Sequence, residues 1–225
     1  MSTAKPQGIT KGPLSGRTLP VVDLHAHPTM KTLQFGKKFW DAHNPPGFFF
    51  CPFTMRTDLD ALIAGGVKTV CCSTYVLERG WLTDVWPLQY LRKILPSLDH
   101  VVSEEPDDMT REYLNHLVYV VRETNARRGP VVEIAKSYAE MQRINAEGKI
   151  AIIHTIEGAH SLNGNLDNLD DFHRRGVSSM IVPHMYPNEA CYSCANAIPE
   201  DTALRKIGCF TQRFHPDKGL TPWGK

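Results

Sequence analysis

Residues 57–76 read TDLDALIAGGVKTVCCSTYV and combine a predicted helix with a predicted strand. Thr57 is a suitable helix N-cap, and Gly65 and Gly66 end the helix before a nearly continuous apolar run. A second apolar run, LPVVDLHAH at residues 19–27, comes before this stretch, so the two together complete a β-α-β unit. Such a unit indicates a parallel sheet covered by helices.

The alternation of strands and helices continues towards the end of the chain. Helical patterns are centred on residues 87–95, 109–127, 137–147 and 166–175. Apolar, β-rich runs follow at KIAIIHTIEGAH (149–160) and SSMIVPHMYPN (178–188). We therefore predict an α/β fold with about four strands, either an open doubly wound sheet or half of an eight-stranded barrel.

The domain organisation is predicted to be simple. Residues 1–18 form a polar leader, and residues 19–225 form one domain, in which residues 28–56 are rich in Pro, Gly and aromatics and predict a long ordered loop. The final residues, KGLTPWGK, end without a capping helix. We expect the carboxyl-terminal part of the domain to be absent from this chain.

Composition narrows the class of partner. The 225 residues are 42% hydrophobic and 22% charged, with a formal net charge of +1, so neither nucleic acid nor an anionic membrane is expected to bind. A small-molecule substrate is the expected partner. Residues 1–20 lack the apolar run of a signal peptide, and no later stretch approaches about 18 uninterrupted apolar residues, so a cytoplasmic chain is expected.

The cysteines are predicted to be free thiols. Cys71 and Cys72 are consecutive in a strand-like run and point to opposite faces, so we interpret them as buried and unbridged. Cys191 and Cys194 have CxxC spacing, but no second CxxC follows, so a zinc or redox role has little support.

The clearest chemical signal is a histidine pair at the end of the first strand. His25 and His27 are two residues apart, so their imidazoles lie on one side of an extended chain and can reach one metal ion. The alternative is a pair of solvent-facing histidines. Asp23 could ligate, orient a histidine, or serve only as a structural hydrogen-bond acceptor.

Polar residues also follow the later strands. Glu157 lies at the carboxyl end of AIIHTI, where barrel active sites are found, and could bridge two divalent ions; a helix-capping role is the alternative. His184 ends the next strand, where it could hydrogen-bond a substrate oxygen, and Asn188 follows it four residues later. His154 and His160 lack the exit position and are interpreted as structural.

Several enzyme classes lose their main support. The sequence contains no GxSxG elbow, no GxxxxGK[ST] or GxGxxG phosphate loop and no HExxH motif. Serine hydrolase, nucleotide-binding and zincin functions are therefore not indicated.

Five segments, in order, resemble the renal (membrane) dipeptidase family. They are VVDLHAHP (21–28), TDLDALIAGGVKTVCCSTYV (57–76), TIEGAHSL (155–162), MIVPHMYPNEA (180–190) and GLTPWGK (219–225). The resemblance covers residues 20–225 and implies a TIM-like barrel with a binuclear zinc centre that hydrolyses dipeptides through a metal-bridging hydroxide. It also implies that His25 and Glu157 are metal ligands and that His184 orients the substrate. We therefore predict Glu157 and His184 as catalytic residues, and His184 and Asn188 as substrate-binding residues.

Two departures from the family pattern bear on function. The family usually has His-x-Asp where this chain has His25-Ala26-His27, as in the wider amidohydrolase superfamily. The family's two further metal-binding histidines, its substrate-binding arginine and its late aspartate lie beyond the point that matches Lys225. We therefore expect one ion at His25, His27 and Glu157, an incomplete second zinc site, and an open half-barrel that needs a partner half, a second copy or further residues.

Three functions remain open on the sequence. The first is a zinc-dependent hydrolase of dipeptides or related small amides that uses a metal-activated water. The second is a noncatalytic remnant or binding module that keeps the strand-end histidines. The third is an amidohydrolase acting on a lactone or cyclic amide, which the His-x-His pair favours.

Overall fold

The computed structural model describes residues 20–43, 54–81, 86–192 and 219–225. The strands are β1 (Val21–Ala26), β2 (Val67–Thr74), β3 (Val132–Ile134), β4 (Ile150–Glu157) and β5 (Val177–Ile181). The α-helices are α1 (Pro28–Phe35), α2 (Leu59–Ala64), α3 (Trp86–Ile94), α4 (Pro96–Ser103), α5 (Pro106–Arg128), α6 (Tyr138–Ala146) and α7 (Asp167–Arg174). A 3-10 helix spans Ala159–Leu162. The polar leader predicted for residues 1–18 lies outside the described residues.

All strand pairs of the sheet are parallel. The strand order is β1-β2-β4-β3, and β5 also pairs with β4. Because β2 occupies one edge of β4, β3 and β5 share the other edge; β3 pairs with its first residues and β5 with its last. The predicted α/β class with a parallel sheet is confirmed.

The core lies between this sheet and the long helix α5. Leu117 and Val120 of α5 pack in one cluster with Val70 and Cys72 of β2, and Leu59 of α2 belongs to the same cluster. Strand β4 is buried along most of its length, as its apolar sequence predicts. The cluster fixes β2 and β4 rigidly, and the carboxyl ends of these strands carry the candidate site.

The prediction of a loop over residues 28–56 is wrong for its first residues, because they form α1, which follows β1 directly. Pro28 occupies the first turn of α1, where its missing N–H costs nothing, and Gly36 ends the helix in the left-handed conformation with φ of 60°. The chain therefore turns sharply at His27, and α1 begins one residue after the predicted metal ligands.

Three local details also differ from the sequence-based expectation. The N-cap of α2 is Asp58 rather than Thr57, and its carboxylate accepts the N–H of Ala61. Helix α4 was not predicted; Pro96 occupies its first turn, and only Leu95 separates it from the end of α3. Strand β3 has only three residues, which is too short for a periodic signal.

The outer strand β1 presents apolar side chains to solvent. In the part of the chain that the structure describes, β1 pairs on one edge only, and Leu24 is 75% exposed, with Val21 and Val22 also exposed. This arrangement agrees with a sheet that is part of a larger barrel.

Cys71, Cys72 and Cys191 are free thiols, as predicted for the first two. Cys72 is buried and Cys71 half-buried, so only one of the pair matches the predicted burial; burial raises the pKa of both thiols. Cys194 lies outside the described residues. Among the described helices, none has the length and apolar character needed to cross a bilayer.

Candidate metal centre

Side chains from β1 and β4 converge above the carboxyl edge of the sheet. The Nε2 atoms of His25 and His27 lie 2.9 Å apart. Glu157 Oε1 lies 3.3 Å from His25 Nε2, and its Oε2 lies 3.3 Å from His27 Nε2. Since β2 separates β1 from β4, the three side chains reach over the end of β2, the way alternate strands fill a layer in a barrel.

The tautomer of His27 suits a metal ligand. Its Nδ1 lies 3.0 Å from the carbonyl oxygen of Ser73 in β2 and donates a hydrogen bond to it. This bond places the proton on Nδ1 and leaves the Nε2 lone pair facing His25 and Glu157. Burial lowers the pKa of His27, against the opposing effect of the Glu157 charge, so the neutral, ligating form is favoured.

The three residues fit a zinc ion in ligand type and spacing. Their ligand atoms all lie within 4.8 Å of one another. With Zn–N distances of about 2.0–2.1 Å, two ligand atoms of a tetrahedral ion lie about 3.3 Å apart. The two histidine–glutamate distances of 3.3 Å match this spacing, whereas the 2.9 Å between the two histidine nitrogens is shorter. Two imidazoles with one carboxylate form a common zinc ligand set.

A fourth side chain, His184, joins the cluster from the segment after β5. Its Nε2 lies 3.2 Å from Glu157 Oε1, and its Nδ1 lies 3.0 Å from Glu78 Oε1. Both ring nitrogens therefore face carboxylates. Burial alone would lower the pKa of His184, but the hydrogen bonds to Glu157 and Glu78 raise it to about 9.

Glu78 is the residue that the sequence analysis missed. It is 4% exposed, and its Oε2 accepts hydrogen bonds from the Tyr75 hydroxyl at 2.7 Å and from Trp81 Nε1 at 3.1 Å. Its Oε1 also accepts the backbone N–H groups of Met185 and Tyr186. The carboxylate thus ties the loop after β2 to the loop after β5. Its position four residues past β2, at the same sheet edge, was the available signal.

The two glutamates are held in the ionised form. Burial by itself raises the pKa of Glu157, but the hydrogen bond from His184 and the charges of the surrounding histidines outweigh it and lower the pKa. Burial also opposes ionisation of Glu78, and the bond from His184 again lowers its pKa overall. The centre therefore combines ionised carboxylates with imidazole nitrogens, and both kinds of group can bind a cation.

Gly158 shapes the exit from β4. Its φ is 97°, a conformation that residues with a Cβ rarely adopt. A Cβ at this position would lie 2.3 Å from atoms of the His160 ring and 3.5 Å from the Cβ of His184. A glycine is therefore required here, and it lets the chain turn immediately after Glu157.

Asn188 lies outside the cluster of His25, His27, Glu157 and His184. Its Nδ2 donates to the carbonyl of Val182, and its Oδ1 accepts the N–H groups of Ala190 and Cys191. The amide thus stabilises its own loop. Substrate binding by Asn188 stays a prediction.

Three other polar residues in or beside these strands do not join the cluster of His25, His27 and Glu157. Asp23 accepts the backbone N–H of His25 at 3.0 Å, which is the structural role among its three alternatives. His154 is fully buried within β4. His160 donates from Nε2 to the carbonyl of Val76 and links the exits of β4 and β2.

A cavity of about 370 Å³ opens beside the two histidines. Its wall includes His25, His27, Lys31, Met55 and Arg56. The volume falls in the range of small-molecule sites, roughly 300–1,000 Å³. Lys31 and Arg56 bring positive charge to the wall, next to the candidate ligands.

The fold and the site together define an α/β protein with a histidine–glutamate cluster at the carboxyl edge of a parallel sheet, the position of the active site in barrel enzymes. A family model described as membrane dipeptidase (peptidase family M19) matches residues 16–225. The chain belongs to this family, and the resemblance noted in the sequence is confirmed. No curated protein gives a significant match.

Solved structures of dipeptidases share the fold. The dipeptidase AC, a metallo peptidase of family M19, aligns with a TM-score of 0.53 and 19% identity over 78% of this chain and 46% of its own. The probable dipeptidase PvdM from Pseudomonas aeruginosa aligns with a TM-score of 0.51 and 18% identity over 91% of this chain and 42% of its own. A third structure is a metallo peptidase from Rhodobacter sphaeroides, liganded with a phosphinate mimic of dipeptide L-Ala-D-Ala. It aligns with a TM-score of 0.52 and 19% identity over 78% of this chain and 48% of its own. This chain spans less than half the length of each, and its sheet corresponds to part of their TIM-like barrel.

Proposed function

We propose that this chain carries a zinc-binding part of a dipeptidase site, at which dipeptides or related small amides are hydrolysed by water. The observation that carries the proposal is the convergence of His25, His27 and Glu157 on one point, in a chain of the dipeptidase family. The near-neutral net charge of +1 supports a small substrate rather than a polyanion.

His25, His27 and Glu157 would hold the ion. A bound divalent ion supplies Lewis acidity at the substrate carbonyl and lowers the pKa of a water molecule towards about 7. The bond from His27 Nδ1 to Ser73 keeps the imidazole oriented with its lone pair at the site. Glu157, which has two oxygens at the site, is the candidate for accepting the proton released when water attacks.

His184 is placed to orient the substrate. Its Nε2–H points at Glu157, so a carbonyl oxygen beside the three ligands would lie within reach of the same donor. Glu78 holds the opposite side of the ring and prevents it from turning away. A positively charged imidazole at this point would stabilise negative charge that develops on the carbonyl oxygen.

The His-x-His pair supports one alternative within the same chemistry. His27 stands where the family usually has an aspartate, and its Nε2 lies 2.9 Å from that of His25. A more histidine-rich site suits hydrolysis of a lactone or cyclic amide by the same kind of water attack. Noncatalytic metal binding is the remaining alternative.

The test measures zinc content and turnover on the full chain. Elemental analysis after dialysis should find one zinc ion per chain, and a variant with Glu157→Ala should lose it, whereas exposed His173→Ala should retain it. Hydrolysis of Gly-Leu, Leu-Gly, a γ-lactone and dihydrouracil would then be assayed with and without zinc. Zinc-dependent cleavage of the dipeptides supports the proposal, ring opening alone supports the alternative, and zinc binding without turnover of any of the four points to a binding module.

A further inference from the structure

A second cavity, of about 320 Å³, lies between α1, α3, α4 and the loop after β2. Apolar atoms make up nearly all of its surface. Its wall includes the apolar side chains of Met30, Leu77, Leu88, Leu91, Leu98 and Met185. Such a cavity favours an apolar occupant, because a polar or charged group placed there would lose its hydration without comparable hydrogen bonds in return.

This apolar cavity adjoins the candidate metal centre. Tyr75 lines it, and the centre of the Tyr75 ring lies 4.7 Å from that of His184 and 6.4 Å from that of His27. Met185, which also lines it, follows His184 directly in the chain. Met30 lines both this cavity and the cavity beside the histidines.

We propose that the apolar cavity binds a large apolar side chain, of leucine or phenylalanine size, on a dipeptide whose peptide bond lies at His25, His27 and Glu157. This inference rests on the proposed function and adds a substrate class to it. The size is suitable, since an apolar cavity of roughly 150 Å³ already accepts benzene. The short distance between the rings of Tyr75 in the wall and His184 in the cluster favours the substrate itself as occupant over a second protein surface.

Leu91 and Ile94 provide a matched pair of variants on α3. Leu91 is half-buried and lines the cavity, whereas Ile94 is 71% exposed on the same helix and is not part of its wall. Leu91→Trp should narrow the cavity, because an indole is larger than a leucine side chain, and Ile94→Trp should leave it unchanged. Leu98→Phe, from the wall formed by α4, narrows it less drastically and serves if Leu91→Trp fails to fold by circular dichroism.

The kinetic measurement compares Gly-Leu and Leu-Gly with Gly-Gly on the zinc-loaded full chain. We expect at least one leucine dipeptide to have a kcat/KM roughly 10- to 100-fold above that of Gly-Gly, the range expected for burying a leucine side chain. Leu91→Trp should reduce this preference, measured as the ratio of the two kcat/KM values, about tenfold or more, and Ile94→Trp should not reduce it. Equal rates for all three dipeptides, or a preference that survives Leu91→Trp and Leu98→Phe, would overturn the inference.

A binding measurement separates this inference from the proposed function. Saturation-transfer NMR on the zinc-stripped full chain should show contact of the leucine methyl protons of Gly-Leu or Leu-Gly with the protein. The signal should persist in Ile94→Trp and vanish in Leu91→Trp. If this NMR pattern is seen but no dipeptide is cleaved, the proposal of hydrolysis fails and the proposal of side-chain binding in the cavity holds. If dipeptides are cleaved without methyl contact, the proposal of side-chain binding fails and the proposal of hydrolysis holds.

Discussion

Glu78 Oε1 lies 3.0 Å from Nδ1 of His184, and the same oxygen accepts the backbone N–H groups of the next two residues, Met185 and Tyr186. One carboxylate thus orients an imidazole of the site and fixes the loop that carries it. Because both partners are largely buried, the pair belongs to the class of ion pairs in which loss of one member leaves an uncompensated charge or donor.

Removing the Glu78 carboxylate should therefore destabilise the fold. Glu78→Ala is expected to lower the free energy of unfolding by about 3 to 5 kcal/mol, and Glu78→Gln by less, since the amide keeps one acceptor oxygen. Urea unfolding followed by circular dichroism measures both. The control is Glu112→Gln, which breaks an exposed pair with His100 at 2.8 Å and should cost at most about 1 kcal/mol. Equal losses of unfolding free energy in the Glu78 and Glu112 variants would show that burial does not strengthen the Glu78–His184 pair.

Zinc affinity should depend on His27 in a way that distinguishes a ligand from a neighbour. His27→Ala should weaken zinc binding by at least about 100-fold, because it removes one of three ligands, whereas His27→Asp should retain most of the affinity by supplying a carboxylate. Competition with a chromophoric chelator measures the dissociation constants. Asp23→Asn, which keeps the acceptor for the His25 N–H, is the control and should bind zinc normally. A zinc affinity unchanged in His27→Ala would contradict the assignment of the site.

Acid should destabilise the protein through His154. This side chain is buried in β4, and its Nδ1 has no hydrogen-bond partner among the described residues. Burial, helped by the charge of Lys136, lowers its pKa from 6.5 to about 4. Above pH 6.5 the ring is neutral in both folded and unfolded chains. Between pH 6.5 and 4 only the unfolded chain takes up the proton, so stability falls, by about 3 kcal/mol in total.

The contribution of His154 can be isolated by measuring the free energy of unfolding at pH 4, 5, 6 and 7. In His154→Leu the loss of stability on acidification should be smaller by about 3 kcal/mol than in the unaltered chain. His173→Leu, which removes an exposed histidine from α7, should leave the pH dependence unchanged. An identical acid loss in all three proteins would assign the effect to other groups.

Alanine substitutions at Gly158 and Gly148 should distinguish the cost of backbone strain from the cost of a steric clash at the site. Both have a positive φ, 97° and 78°, but a Cβ meets nothing within 4 Å at Gly148 and lies 2.3 Å from the His160 ring at Gly158. Gly148→Ala should cost about 1 to 2 kcal/mol. Gly158→Ala should cost about 1 to 3 kcal/mol more, and it should also weaken zinc binding, because Glu157 precedes it directly. Thermal unfolding and zinc titration test this; equal effects of the two changes would contradict it.

The ends of the main strands and the convergence of His25, His27 and Glu157 were predictable because local patterns carry that information. Apolar runs identified four of the five described strands, and the two-residue spacing of His25 and His27 placed both imidazoles on one side. Glu157 is the last residue of the largely buried strand β4, so its position at the sheet edge followed from the length of that strand alone. Helix α1 and strand β3 were missed, since a helix started by Pro28 inside a Pro- and Gly-rich segment and a three-residue strand give weak local signals.

The amino-acid sequence by itself determined the parallel α/β class, the family and the histidine–glutamate triad, because strand periodicity and residue spacing are properties of the chain over a few residues. Only the tertiary structure decided that Glu78 is buried against His184, more than 100 residues away in the chain, and that Asn188 stabilises its own loop. The physical reason is that these contacts depend on how two loops close over the sheet edge. A lone glutamate in the loop after β2 carries no local sign of the distant partners that will surround it.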